Sequence, residues 1–274
     1  MEDLTLRTED TITRFLNESK AKCGHLPKHP QAHLYPYEVV AIGMLRAFKG
    51  GSFRSFYRWL KGDWDGFFSG PLPERTRLSR LLAYHAHNTD AFLAKAKSEL
   101  VCDSYGMEML HPWRCERGRR KANWRRRQKK RARQPVTLAR KGLSNQRWII
   151  GAKISVLIRH DGKVVDFAWD SANVHDSTFN FLAAKHPDSR VLGDANYAQA
   201  VDQPQNLVLC KKGERSERMV VETVFSMLTL VSHAKRLWAR AEHHIDAYLS
   251  YMVAMFNCVT GWTKGKLSLA EYSL

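Results

Sequence analysis

Apolar positions recur at helical spacing between Tyr37 and Phe48, where Val39, Val40, Ile42 and Leu45 supply the apolar face and Gly50-Gly51 ends the segment. A second helix is predicted over Ser52 to Leu60. Phe53, Phe56, Tyr57, Trp59 and Leu60 give it an apolar side, and Arg54 and Arg58 lie between them. A third runs from about Pro73 to Leu100, and a short amphipathic helix at Asp10 to Lys20 stands alone in a weakly patterned start. Such a helical module, with short glycine-containing turns and exposed arginines, suits DNA docking and plain helix packing equally.

Near Leu100 the period shortens to that of extended chain. This sets the expected organisation: a helical N-terminal domain over 1–98, a second domain over 99–262, and a tail over 263–274. LVCDS and GMEML are predicted as a first hairpin and RWIIGAKISVLIR as a long strand. KVVDFAWDS is its partner across His160-Asp161-Gly162, because Asp-Gly is a strong hairpin signal. HDSTFNFLAAKH is predicted as a helix capped by Asp176 or Ser177, RVLGD and NLVLCKK as further strands, and helices return from Glu214 onward. The fold class predicted is α/β, a mixed sheet flanked by helices, preceded by an all-α domain.

Composition narrows the partners. The 274 residues, 44% of them hydrophobic, can bury a sizeable core, and a net charge of +17 points to a polyanion. No run approaches the roughly 18 apolar residues of a membrane span, and MEDLTLRTED has neither the basic nor the apolar region of a signal peptide. A cytoplasmic protein is expected, with no membrane contact. Cys23, Cys102, Cys115, Cys210 and Cys258 are odd in number and never form a Cys-x-x-Cys pair, so reduced thiols are expected. Cys102 should face the core, since strand alternation turns it away from Asp103. CGHLPKHPQAH offers zinc-ligand types in Cys23, His25, His29 and His33, but Pro27 and Pro30 forbid a helix that would align them, which favours a polar loop.

The chemistry centres on RMVVETVFSML, which sets Glu222 in the middle of an apolar run. Alone, Glu222 reads as the i, i+4 partner of Arg218. Asp103 in LVCDSYGMEML and Asp194 in RVLGDANY change that reading, because each follows a short apolar run of the kind that makes a buried strand. Two acids at strand ends and one on a helix are what a pair of Mg²⁺ or Mn²⁺ ions needs: hard oxygen ligands, few of them from protein, with phosphate oxygens completing the shell. Asp166, Asp170 and Asp176 rank behind these three, since hairpin register and helix capping already account for them.

GAKISVLIRHDGKVVDFAWDSANVHDS, VLGDANY and ERMVVETVFSML, taken in that order, resemble successive blocks of the DDE transposases of bacterial insertion sequences. YPYEVVAIGMLRAFKGGSFRSFYRWLK and PLPERTRLSRLL resemble the leading helical segment of that family, so the likeness covers about residues 35 to 260. The resemblance implies a ribonuclease-H-like core in which Asp103, Asp194 and Glu222 hold two metal ions, with Arg218 grounding a phosphate or the Glu222 carboxylate. It also implies cleavage at the inverted repeats of a mobile element, joining of the 3′-OH ends to target double-stranded DNA, and a homodimer in the synaptic complex. The protein would then be bacterial and nucleoid-associated when bound. Relatives often have a Lys-Gly pair after the second acid, where this chain has Ala195-Asn196, and a Tyr and a Lys that would fall at Arg215 and Thr229. A catalytically decayed or domesticated DNA-binding protein and a stand-alone metal-dependent nuclease are therefore kept as alternatives.

Between Arg114 and Lys141 stand fourteen Lys or Arg and one acid, Glu116, so +13 of the +17 lies in 28 residues. Trp124 interrupts the blocks, but few other apolar residues do, so the segment reads as a basic insertion that cannot bury a core. Arg119, Arg120, Lys121, Arg125, Arg126, Arg127, Lys129, Lys130, Arg131 and Arg133 are its candidate contacts to the DNA backbone, which would position the duplex without reading its sequence.

Overall fold

The computed structural model describes residues 2–110, 141–144, 147–198, 203–210, 219–233, 235–239 and 241–263. Four helices come first: α1 (Glu2–Cys23), α2 (Pro36–Lys49), α3 (Phe53–Asp63) and α4 (Arg75–His85). α1 extends well beyond the amphipathic core predicted for it. The third helix is shorter than predicted, passing into a 3-10 segment at Ala86–Phe92 and then into extended chain. His85, His87, Asn88, Thr89 and Asp90 are weak helix formers, and the Thr89 hydroxyl tightens the turn by donating to the Ala86 carbonyl at 2.6 Å.

Seven strands follow: β1 (Glu99–Met109), β2 (Lys141–Ser144), β3 (Arg147–Ile158), β4 (Val164–Ser171), β5 (Arg190–Gly193), β6 (Leu207–Leu209) and β7 (Arg236–Leu237). The main sheet is mixed. β4, β3 and β1 are antiparallel neighbours, β5 and β6 continue from β1 in parallel, and β2 and β7 pair with β3 and β1 at one end. The hairpin expected between LVCDS and GMEML is instead one strand, because the ladder to β3 runs unbroken from Val101 opposite Ile158 to Glu108 opposite Gly151. At Gly151 the backbones approach so closely that a β-carbon would strike the Met107 carbonyl. The β3–β4 hairpin turns where Asp161-Gly162 predicted, with Gly162 at φ 80°.

The helix expected over HDSTFNFLAAKH is a 3-10 turn at Asp176–Phe179 followed by the short α5 (Phe181–Ala184). Its cap is the His175 imidazole, which accepts from the Ser177 amide; Asp176 is taken by another partner and Ser177 lies inside the turn. The described residues end with α6 (Met219–Val231) and α7 (Glu242–Trp262).

The two faces of the sheet carry different cores. Odd-numbered β1 residues Val101, Met107 and Met109 join Ile154, Val156, α6 and α7 in the large cluster, while Leu100 and Cys102 join Leu157, Val165, Phe179, Val191 and Tyr197 on the other side. α7 is central to the large cluster. It packs on α1, α2 and α4 as well as on the sheet, and Gly43 of α2 lies so near Tyr251 that a β-carbon there would collide with the ring. The Tyr251 hydroxyl donates to the Leu82 carbonyl at 2.9 Å. The Asn257 amide donates to the carbonyls of Phe92 at 3.0 Å and Val164 at 2.8 Å, and its oxygen accepts from the Val164 amide. One side chain thus joins the end of the helical segment to the start of β4. Among the described residues, no helix is long and apolar enough to cross a membrane, and Cys23, Cys102 and Cys258 are free thiols.

Candidate metal-binding face of the sheet

Asp103 lies in the middle of β1, opposite Val156 of β3. β5 pairs with β1 in parallel, Glu99 with Arg190, Leu100 with Val191 and Val101 with Leu192, a constant offset of 91 positions. Asp194 follows directly on Gly193, two residues past the last β1–β5 pair, so continuation of the same offset would set it level with Asp103. Aligned residues of parallel strands point the same way, so both carboxylates belong to the face that carries Val101 and Leu192. At Asp194 the chain is still extended, at φ −71° and ψ 160°, before a 3-10 turn begins at Ala195. The Ser104 amide donates to the Asp103 carboxylate at 2.7 Å.

α6 covers this face. Phe225 stacks on Tyr105, two residues beyond Asp103, with ring centroids 5.4 Å apart. Val221, Val224 and Leu228 are buried with it, whereas Glu222 is exposed one turn before Phe225. After α6 the chain enters β7, which pairs with the far end of β1 at Glu108 and Met109. The helix therefore advances in the direction of β1, and its earlier turn, with Glu222, stands towards the Asp103 end. The Val224 methyl 3.6 Å from the β-position of Gly162, in the β3–β4 turn, fits that direction. Thr229, one turn after Phe225, spends its hydroxyl on the Phe225 carbonyl at 2.7 Å.

Among the described residues no three His, Cys, Asp or Glu side chains are grouped closely enough to hold a metal ion. That statement includes Asp103, Asp194 and Glu222, which the structure does not bring together as a three-ligand group, and the loop of His25, His29 and His33, where the His29 imidazole accepts from the Gln31 amide instead. Arg218 and the ten basic residues from Arg119 to Arg133, like Cys115, lie outside the described residues.

The remaining candidate acids lie on the opposite face or are already committed. Asp166 sits opposite Leu157 and pairs with Lys185 at 3.3 Å. Asp170 accepts from the Ser171 amide at 2.6 Å. Asp176 accepts from Lys153 Nζ at 2.8 Å and from the Ser104 hydroxyl at 2.7 Å, with Lys153 also donating to the Val174 carbonyl.

Behind Asp103 the strand is backed by groups that sequence spacing did not single out. The Tyr197 hydroxyl lies 2.9 Å from Ser155 Oγ, which in turn lies 3.5 Å from Cys102 Sγ. The Asn180 amide donates to the Tyr197 carbonyl at 3.0 Å, so the turn after Asp194 is anchored through the sheet. Burial pushes the Cys102 thiol up to about 11, and the nearby Asp103 charge adds to the rise, against the Ser155 and Tyr197 hydrogen bonds. Tyr197 rises for the same leading reason. A polar residue alternating with apolar ones on β3 was the available signal; its partners became visible only once β1 and β3 were in register.

No family model, curated protein or solved structure matches this chain.

Proposed function

We propose that this protein is a DDE-type DNA transposase, which cuts at the ends of a mobile element and joins the 3′-OH ends to target DNA. The observation that carries the reading is the parallel pairing of β1, which bears Asp103, with β5, which leads into Asp194, beneath the helix that bears Glu222. The sheet supports a ribonuclease-H-like core: a three-strand antiparallel meander, then two strands added in parallel to its first strand, then helices. The donor set supports the metal, since carboxylate oxygens are the ligands that hard divalent cations take. Asp103, in the middle of β1, and Asp194, just past the end of β5, would hold the ions, and the exposed Glu222 side chain would reach towards them from α6. Mg²⁺ or Mn²⁺, held by these carboxylates, would supply the Lewis acidity that polarises a scissile phosphate and lowers the pKa of an attacking water or 3′-OH. Tyr105 and Phe225 fix the helix over the strand, and Tyr197 fixes the turn that aims Asp194. The basic segment, placed by the sequence between β1 and β2, would hold the duplex beside this edge.

A strand-transfer assay with Mg²⁺ tests the proposal. Joined products that disappear in Glu222→Gln while DNA binding persists are the expected result. Cleavage without joining would replace the reading with a nuclease, and DNA retention with neither would leave a binding protein.

A further inference from the structure

Away from the carboxylates, a cavity of about 340 Å³ opens where the N-terminal helices meet the C-terminal part of the chain. Arg46 of α2, Ser52 and Phe53 at the start of α3, Ser79 of α4, Trp238 and Ala239 after β7, and His244 of α7 line it. No acid is among them. The Arg46 guanidinium lies 4.7 Å from the Phe53 ring centroid and 5.7 Å from that of Tyr248, so its plane is gripped by aromatic rings. Among the described residues it has no ion-pair or hydrogen-bond acceptor. Its burial lowers its pKa, against the Tyr248 and Tyr251 hydroxyls, which raise it. A half-buried guanidinium that opens into a cavity with no acceptor for its N–H fork is suited to an anion that fills the fork.

The neighbouring groups suit the same anion. α3 is eleven residues long, and its Ser52 cap uses its hydroxyl on the Ser55 amide and its carbonyl on the Phe56 amide. The first amides of the helix, at Phe53 and Arg54, therefore remain as donors at this end, where the helix dipole favours negative charge. Ser79 adds a hydroxyl from α4. Burial, then His243 and Arg46, lower the His244 pKa, so at neutral pH it contributes a neutral imidazole. Arg54 and Arg80, the chain neighbours of the lining residues Phe53 and Ser79, are exposed and favour approach of an anion.

We propose that this cavity is a phosphate-binding site, with the Arg46 fork on two phosphate oxygens and the α3 amides and Ser79 on the others. It stands on its own geometry, independent of the metal-binding face. The phosphate belongs either to a nucleic-acid backbone or to a free phosphate ion, and Trp238, 42% exposed at the rim, can stack against a sugar or base in the first case.

Calorimetric titration of the full chain with inorganic phosphate, in phosphate-free buffer, tests the site. Saturable binding that sulfate competes away is expected in the wild type. Arg46→Met, which keeps the packing against Phe53, and Ser79→Asp, which supplies Arg46 with an internal carboxylate, should each weaken it by at least roughly tenfold, the cost of one charge-assisted contact. Ser79→Asp retains Arg46, so it reports even if Arg46→Met melts early. A random-sequence duplex that displaces bound phosphate from the wild type identifies the backbone as the source. A duplex that leaves phosphate bound identifies the free ion. Absence of saturable binding, or equal binding in all three proteins, overturns the assignment.

Discussion

Asp103 lies on β1 and Asp194 directly follows β5, its parallel neighbour, at the offset of 91 positions that the β1–β5 register holds from Glu99–Arg190 to Val101–Leu192. A divalent cation held by these two carboxylates would stabilise the folded chain. Mg²⁺ should therefore raise the melting temperature of the wild type, by about 2.7 kcal/mol of stabilisation at a hundredfold excess over Kd. In Asp194→Asn the metal-dependent part should vanish, while metal-free stability stays equal or rises slightly. Calorimetric melts with and without Mg²⁺ measure both quantities, and a metal response retained in Asp194→Asn would rule out this pair as the site. DNA cleavage in the same variant should fall by more than roughly 100-fold, the upper end of what even outer-shell metal partners cost.

Deleting residues 119–133 removes ten Lys or Arg from the sequence. Since log K against log salt has a slope of about 0.9 per neutralised phosphate, loss of six or more contacts should flatten it by several units. Affinities measured across a salt series decide the matter, and an unchanged slope assigns DNA binding to another surface.

Lys153 and Asp176, with side chains 11% and 15% exposed, form an ion pair of 2.8 Å behind β1, and Ser104 completes it. Asp176→Ala strands a buried ammonium and should cost about 3 kcal/mol, whereas Lys153→Met combined with Asp176→Leu should recover most of that. Urea unfolding of the three proteins provides the comparison. A double variant no better than Asp176→Ala would mean that the pair holds Ser104 and the 3-10 turn by geometry and not by charge balance.

Tyr248 gives the fold an alkaline limit. Burial raises its hydroxyl from 10.0 to about 12, against the opposing Arg46 charge. Below pH 10 both folded and unfolded chains keep the proton, so the stabilising contribution is fully present. Between pH 10 and about 12 the unfolded chain ionises first and gains stability. Folding free energy should fall there by on the order of 2 kcal/mol, close to 1.4 per unit for one group. Tyr248→Phe loses the hydrogen bond to the Ser232 carbonyl at 2.7 Å, so it starts lower, but it should lack this part of the alkaline decline. Denaturant midpoints at stepped pH give the two curves; parallel curves would assign the decline to other groups.

How far the sequence reached depended on the range of each signal. Local turn chemistry and alternation were legible: Asp161-Gly162 turns the β3–β4 hairpin, and Cys102 faces the core, 2% exposed. The adjacency of the strands bearing Asp103 and Asp194 followed from the fold class and not from any local pattern. Misreadings arose where tertiary pairing overrode local preference. Tyr105-Gly106 looks like a turn until the twelve-residue β3 pairs across it, and Asp176 looks like a cap until Lys153 claims it. Arg46 gave no signal as an isolated arginine in an apolar helix, since Phe53 of α3 and His244 and Tyr248 of α7 reach it from two other elements.

The Asn257 tie also sets an order of events in time. Its contacts to Phe92 and Val164 span 165 and 93 positions, and Tyr251 reaches Leu82 across 169. During synthesis the first four helices emerge long before α7, the element that completes their apolar core. They must wait, with apolar surface uncovered, until the ribosome has released nearly the whole described chain. Long loop closures of this kind slow folding and prolong exposure to aggregation. A chain truncated before Glu242 therefore leaves both ends of the molecule unfinished, and newly made protein becomes competent only as its last helix docks.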